Sequence, residues 1–129
     1  MRWEFESSRP IYLQIVTFLK ESIASGVYPP GSRMPTVRDL ALEAGVNPNT
    51  MQRAFAEMER DGLLHTERTS GRNVTEDTAV LANLRRSLAQ ESVDEMLRRL
   101  RKLGMSSEEI VKMVAGRTEE DAGRGEKME

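Results

Sequence analysis

Between residues 47 and 52 the chain reads Asn-Pro-Asn-Thr-Met-Gln, placing three carboxamides and a hydroxyl within six positions. A carboxamide presents an acceptor and a donor in one plane. That pattern lets Gln52 address N6 and N7 of adenine, while Asn49 and Thr50 suit a base edge or a phosphate oxygen. Upstream, Arg38 carries a fork of donors that fits guanine O6 and N7 or a phosphate. Arg53 follows Gln52 and is suited to phosphate, and Arg68, Ser70, Gly71 and Arg72 form a small, polar, basic cluster further on. This is the chemistry of recognition, not of bond making. Each residue also has a plainer role open to it. Asn47 serves a helix as its cap first and a phosphate second. Arg38 has Asp39 and Glu43 as surface ion-pair partners, Arg53 has Glu57 one helical turn on, and residues 68–72 would make an ordinary solvated turn.

Other chemistries lack their residues. The chain has no cysteine and one histidine, His65, so no metal site is expected, and His65 is read as a surface residue. No glycine-rich phosphate loop or nucleophile motif is present, so neither an enzyme nor a cofactor is expected. Net charge is −2, which lacks the positive excess that often marks nucleic-acid binders, so any basic face must come from arrangement. No apolar run approaches the ~20 residues of a membrane span. The opening Met1-Arg-Trp-Glu-Phe-Glu carries acids where a signal peptide would be apolar, and the expected compartment is the cytoplasm.

The recognition residues need elements to hold them. Ile11, Ile15, Val16, Phe18, Leu19 and Ile23 recur at three and four residues and predict a helix over about 10–25, with Pro10 in its first turn and Gly26 past its end. Val27-Tyr-Pro-Pro-Gly31 cannot continue it and reads as a short connector. Thr36 caps a second helix whose inward face is Val37, Leu40, Ala41 and Ala44, and Gly45 ends it. Asn47 and Pro48 start a third, with Met51, Ala54, Phe55 and Met58 facing inward until Asp61-Gly62. Two short helices around a tight turn form a helix-turn-helix, whose second helix offers its N-terminal residues to a major groove. Residues 63–67 and 72–75 predict a hairpin, a wing, joined through 68–71.

From Asp77 the pattern changes. Leu81, Leu84, Leu88, Val93, Met96, Leu97, Leu100 and Leu103 stripe a long helix, with a slip between Leu88 and Val93. Gly104 closes it, and Ser106 or Ser107 caps a shorter helix with Ile110, Val111 and Val114, ending before Gly116. The stripe, with Ile110 and Val114, exceeds what two helices can hide from each other, so a symmetric dimer is expected to cover it. Residues 117–129 hold too few apolar side chains to offset ordering and are expected to be disordered. The fold class is thus mainly α with a small β-hairpin. A winged helix-turn-helix occupies 1–76, a helical dimerisation hairpin 77–116 and a tail 117–129.

These residues resemble a known family. Pro10-Ile-Tyr-Leu-Gln-Ile15, Pro30-Gly31, Met34-Pro-Thr-Val-Arg-Asp-Leu-Ala41, Gly45-Val-Asn-Pro-Asn-Thr-Met51, Ala54-Phe55 and Gly62-Leu63 are similar, in order and separation, to the GntR family of bacterial regulators. The match covers about residues 8–75. The region after the wing is similar to the YtrA subfamily, in which short helices mediate dimerisation and the regulated genes often encode ABC transporters. The resemblance implies that Arg38 grips DNA, that Asn47, Asn49, Thr50 and Gln52 begin the reader helix, and that Gly71 is the wing-tip glycine. Pro48 stands where some members have a guanine-reading arginine, and Thr69–Val74 replaces a glycine-rich wing, so operator preference does not transfer. The expected function is a sequence-specific regulator, a repressor, that binds double-stranded, two-fold symmetric operator DNA as a homodimer. No large effector-binding domain is predicted. The alternative is a winged platform for proteins that does not bind DNA, for which the near-neutral charge is the main support.

Overall fold

A computed structural model describes residues 3–68 and 71–128, with side chains described as far as Arg124. It contains helices α1 (Ile11–Ala24), α2 (Val37–Ala44), α3 (Pro48–Arg60), α4 (Thr78–Lys102) and α5 (Ser107–Met128). Strands β1 (Leu64–Glu67) and β2 (Gly71–Val74) lie between α3 and α4. The chain forms two compact units, Met1–Leu88 and Ala89–Glu129. The division falls inside α4, not at the change of pattern near residue 77. The physical reason is Leu84, which is buried in the first unit's core with Leu81 and Leu88 packed beside it, so the opening turns of α4 belong to that core.

In the first unit the core is built from α1, α2 and α3. Ile15, Val16, Leu19 and Ile23 of α1 meet Leu40 and Ala41 of α2 and Met51, Ala54, Phe55 and Met58 of α3. These are the helical-period positions of each segment, and burying such faces is the main force holding three short helices together. Pro10 is the N-cap of α1, one place earlier than expected. Gln14 is buried and works as a clamp on the preceding strap. Its Nε2 donates to the carbonyls of Glu6 (2.7 Å) and Arg9 (3.0 Å), and its Oε1 accepts from the Glu6 N–H (2.8 Å). Beyond the clamp, the Trp3 ring packs on Phe18 with centroids 4.2 Å apart.

The caps of α2 and α3 set the turn between them. Thr36 Oγ1 accepts the Asp39 N–H at 3.0 Å, and Asn47 Oδ1 accepts the Asn49 N–H at 2.8 Å with Pro48 at the first helical position. Gly45 ends α2 at φ +70, where the Val46 N–H reaches back to the Ala41 carbonyl at 3.0 Å. An L side chain is strained at that φ, which is why glycine stands at the turn.

The strands pair antiparallel in the register Leu64↔Val74 to Glu67↔Gly71. The expected connector after α1 proves to be more than a linker. The Gly31 and Met34 N–H groups donate to the Val74 and Arg72 carbonyls (2.9 and 2.8 Å), the Val74 N–H donates to the Ser32 carbonyl (2.9 Å), and Arg33 bridges Asn73. Residues 31–34 therefore lie along β2 as a third edge, which a local pattern of prolines and glycine does not reveal. Glu59 of α3 fastens the hairpin from beneath, through an ion pair to Arg72 and a hydrogen bond from Thr66 Oγ1 (3.2 Å).

In the second unit, Met96, Leu97 and Leu100 are half-buried, Ile110 is buried, and Val93, Leu103, Val111 and Met113 are exposed. Ser106 and Glu109 form a reciprocal capping box at the start of α5, each side chain accepting the other's N–H at 3.2 Å. One expectation is corrected here. The segment from 117, expected to be a disordered tail, continues α5 as far as Met128, and Gly116 does not stop it. The described side chains of this stretch are nearly all exposed. A helix, however, satisfies its own backbone, and Glu, Arg and Ala favour it without a core. Arg117 and Glu120 add an ion pair at 3.0 Å. No described helix is long and apolar enough to cross a membrane.

Candidate nucleic-acid interface

With Met51, Ala54, Phe55 and Met58 turned into the core, helical geometry sends Asn49, Gln52, Arg53 and Ala56 outward, and all four are exposed. This stripe carries no carboxylate, and the small Ala56 leaves its C-terminal end low. Thr50 is half-buried beside it. Asn47, at the entry, has its side-chain oxygen committed to capping. Gly45 and the two caps thus fix the direction in which the amides of Asn49 and Gln52 point.

Two clefts flank the stripe. The one on the wing side, about 260 Å3, is lined by Arg33, Met34, Arg38, Gln52, Gly71 and Arg72. On the other flank, Ile11, Tyr12, Asn49, Thr50 and Arg53 line a cleft of about 450 Å3. Arg38 is exposed and has no ion-pair partner among the described residues, so neither Asp39 nor Glu43 neutralises it. Arg33 is likewise exposed and unpaired among them. These free guanidinium groups make a local positive edge on a chain whose total charge is slightly negative.

The remaining arginines behave differently from one another. Arg53 is not paired with Glu57, which Arg60 engages at 3.2 Å; its guanidinium instead lies 3.7 Å from the Tyr12 ring centroid. Arg72 is half-buried, held by Glu59 and 5.3 Å from the Phe55 ring, so it anchors the wing to α3 instead of projecting from it. Arg68 is exposed in the turn after β1. Ser70 lies outside the described residues. Gly71 opens β2 at φ +76, and a Cβ there would come within 3.9 Å of Arg33 Nε. His65 is exposed on β1.

The order of elements and these residues have close counterparts. Residues 11–74 match the model described as bacterial regulatory proteins, gntR family. Over 116 residues the chain is 34% identical to the HTH-type transcriptional regulator YhcF of Bacillus subtilis, covering 90% of this chain and 96% of that one. It is 35% identical to the HTH-type transcriptional repressor YtrA of the same organism, over 70% of this chain and 71% of the relative. The chain belongs to the GntR family. Among solved structures, a GntR family transcriptional regulator from Listeria monocytogenes superposes with a TM-score of 0.79. It is 36% identical, and the match covers 87% of this chain and 98% of that one. The DNA-binding domain of AraR, solved in complex with operator ORE1, matches at 25% identity and a TM-score of 0.50 over 58% of this chain and 94% of its own. As a GntR protein this chain is a DNA-binding transcription regulator with a winged helix-turn-helix followed by a helical region.

Sequence reasoning named Arg38, Asn49, Gln52 and Arg53 as candidate DNA contacts, and the fold exposes all four along the two clefts beside α3. It missed Arg33 and Tyr12. Arg33 had one usable signal: it precedes the buried Met34 in an extended stretch, where neighbouring side chains point to opposite faces. Tyr12 had none beyond its place on α1, because its partner is 41 positions away in sequence.

Proposed function

We propose that the protein binds a two-fold symmetric operator as a homodimer and represses transcription from it. In this reading α3 enters the major groove. Gln52 and Asn49 address base edges with Thr50 beside them, Asn47 holds the helix start, and Arg38, Arg33, Arg53 and Arg68 engage phosphate or groove edges. Gly71, at φ +76 where β2 opens, shapes the wing. Arg72 acts through the wing, which it fixes to Glu59. The observation that carries the reading is the outward stripe Asn49–Gln52–Arg53–Ala56, free of carboxylates and bordered by two arginines without ion-pair partners among the described residues. Phosphate contacts would set register and the amides would set sequence.

The homodimer is supported by the second unit. Val93 is 49% exposed and Leu103 76% exposed, with Met96, Leu97 and Leu100 only half-covered, an apolar surface that a second copy would bury. Leu81, Leu84 and Leu88, assigned to the same seam from sequence, pack against the first unit's core, so the seam is proposed to run from Val93 onward with Ile110 and Val114 supporting it. Repression takes its support from the relative named as a repressor. Selection from a random DNA pool tests the whole reading. The expected product is an inverted repeat whose half-sites lie one or more turns apart, about 34 Å per turn. A pool that shows no enriched sequence would instead favour a winged platform for proteins.

A further inference from the structure

Arg53 is the one cation of the α3 stripe, and its planar group rests on the face of Tyr12, 3.7 Å from the ring centroid. The contact ties α3 to the first turn of α1. It also forms the wall of the cleft shared with Ile11, Asn49 and Thr50, on the flank of the stripe away from the wing. The acid that could have neutralised Arg53 is engaged elsewhere, since Glu57 pairs with Arg60. A guanidinium stacked by its face keeps its N–H edge available, and that edge matches phosphate oxygens. Stacking also restrains a side chain that otherwise loses much rotamer freedom when it binds.

We propose that Tyr12 is a positioning residue for DNA binding: its ring holds Arg53 with the donor edge toward a backbone phosphate, extending the contact surface past the reader helix to the start of α1. The proposal rests on the reading that α3 docks on DNA. Tyr12 orders Arg53 before the encounter. Lysine would replace Arg53 only in part, because an ammonium keeps the charge but has neither a flat face nor a fork of donors.

The test measures operator affinity against salt for Arg53→Gln, Tyr12→Leu, Tyr12→Phe and the double variant Tyr12→Leu/Arg53→Gln, with thermal melts alongside. Arg53→Gln is expected to lose about tenfold in affinity and to lower the salt slope by about one. Tyr12→Leu is expected to lose about threefold, in line with an exposed cation–π contact, and Tyr12→Phe to restore binding because the ring remains. The double variant should bind like Arg53→Gln alone. Should Tyr12→Leu melt early, Arg53→Lys carries the test, with an expected loss of about threefold and the salt slope retained. Losses that multiply in the double variant overturn the proposal. So does a Tyr12→Phe variant as weak as Tyr12→Leu, or an Arg53→Lys variant as tight as the unaltered chain. Full affinity in Arg53→Gln overturns it while leaving α3 as the reader. Failure of the unaltered chain to select any operator overturns both.

Discussion

Gln52 and Arg33 border the same cleft but are suited to different work, and that difference is measurable. The Gln52 amide can match an adenine edge, where a bidentate pair is worth about 1–3 kcal/mol of discrimination. Gln52→Ala should therefore flatten the ranking of operator variants in a competition assay while leaving the salt slope unchanged. An unchanged ranking would remove Gln52 from base reading. Arg33 offers charge with no ion-pair partner among the described residues, so Arg33→Gln should weaken binding to all sequences alike and reduce the salt slope by about one. Arg72 belongs to neither class. With its guanidinium on Glu59, it reaches DNA only through the wing it secures. Its place in the basic cluster 68–72 suggested a direct contact because local sequence cannot show that an acid thirteen positions earlier on α3 lies beneath it.

At the scale of elements, the reader helix owes its direction to caps and to one turn. Thr36→Ala removes the side-chain acceptor for the Asp39 N–H and should lower stability by about 1 kcal/mol in denaturant melts. An unchanged midpoint would show that the cap contributes nothing. Alkaline pH gives a second handle on the same unit. Tyr28, half-buried after α1, has its phenol pushed above its ordinary value, first by burial and then by the Glu43 carboxylate. The folded state therefore holds this proton more tightly than the unfolded chain. Stability should be intact below pH about 10 and fall as pH rises through the folded value. Comparing melts of the unaltered chain with Tyr28→Phe isolates the contribution, which should vanish in the variant.

For the molecule as a whole, an almost neutral chain has to gather its affinity from several weak contacts, and a second subunit doubles their number while fixing half-site spacing. Val93 and Leu103 are exposed in a single chain, so replacing both with Glu should leave the secondary structure and melting of each unit intact. The same change would place charges in the proposed seam and should turn a dimer into a monomer by light scattering, with loss of operator binding. A double variant that stays dimeric would place the interface elsewhere. The helical extension to Met128 adds length without burial among its described side chains.

Much of the fold was legible from sequence because its signals are local. The period of Ile15, Leu19, Met51 and Phe55 specifies which helix faces are buried, and Thr36, Gly45, Asn47 and Pro48 mark helix ends through their own backbone preferences. Turning one face of α3 inward also sets its opposite face, so Asn49, Gln52 and Arg53 were placed by arithmetic alone. Four things depended on the chain meeting itself at a distance. These are the third edge that residues 31–34 add to β2, the capture of Arg72 by Glu59, the stacking of Arg53 on Tyr12, and the packing of Leu84 into the first unit. Each is decided by which groups a packed core brings within a few ångströms. No pattern confined to neighbouring positions encodes that, so sequence determined the reader's composition while tertiary structure decided which of its cations are free to act.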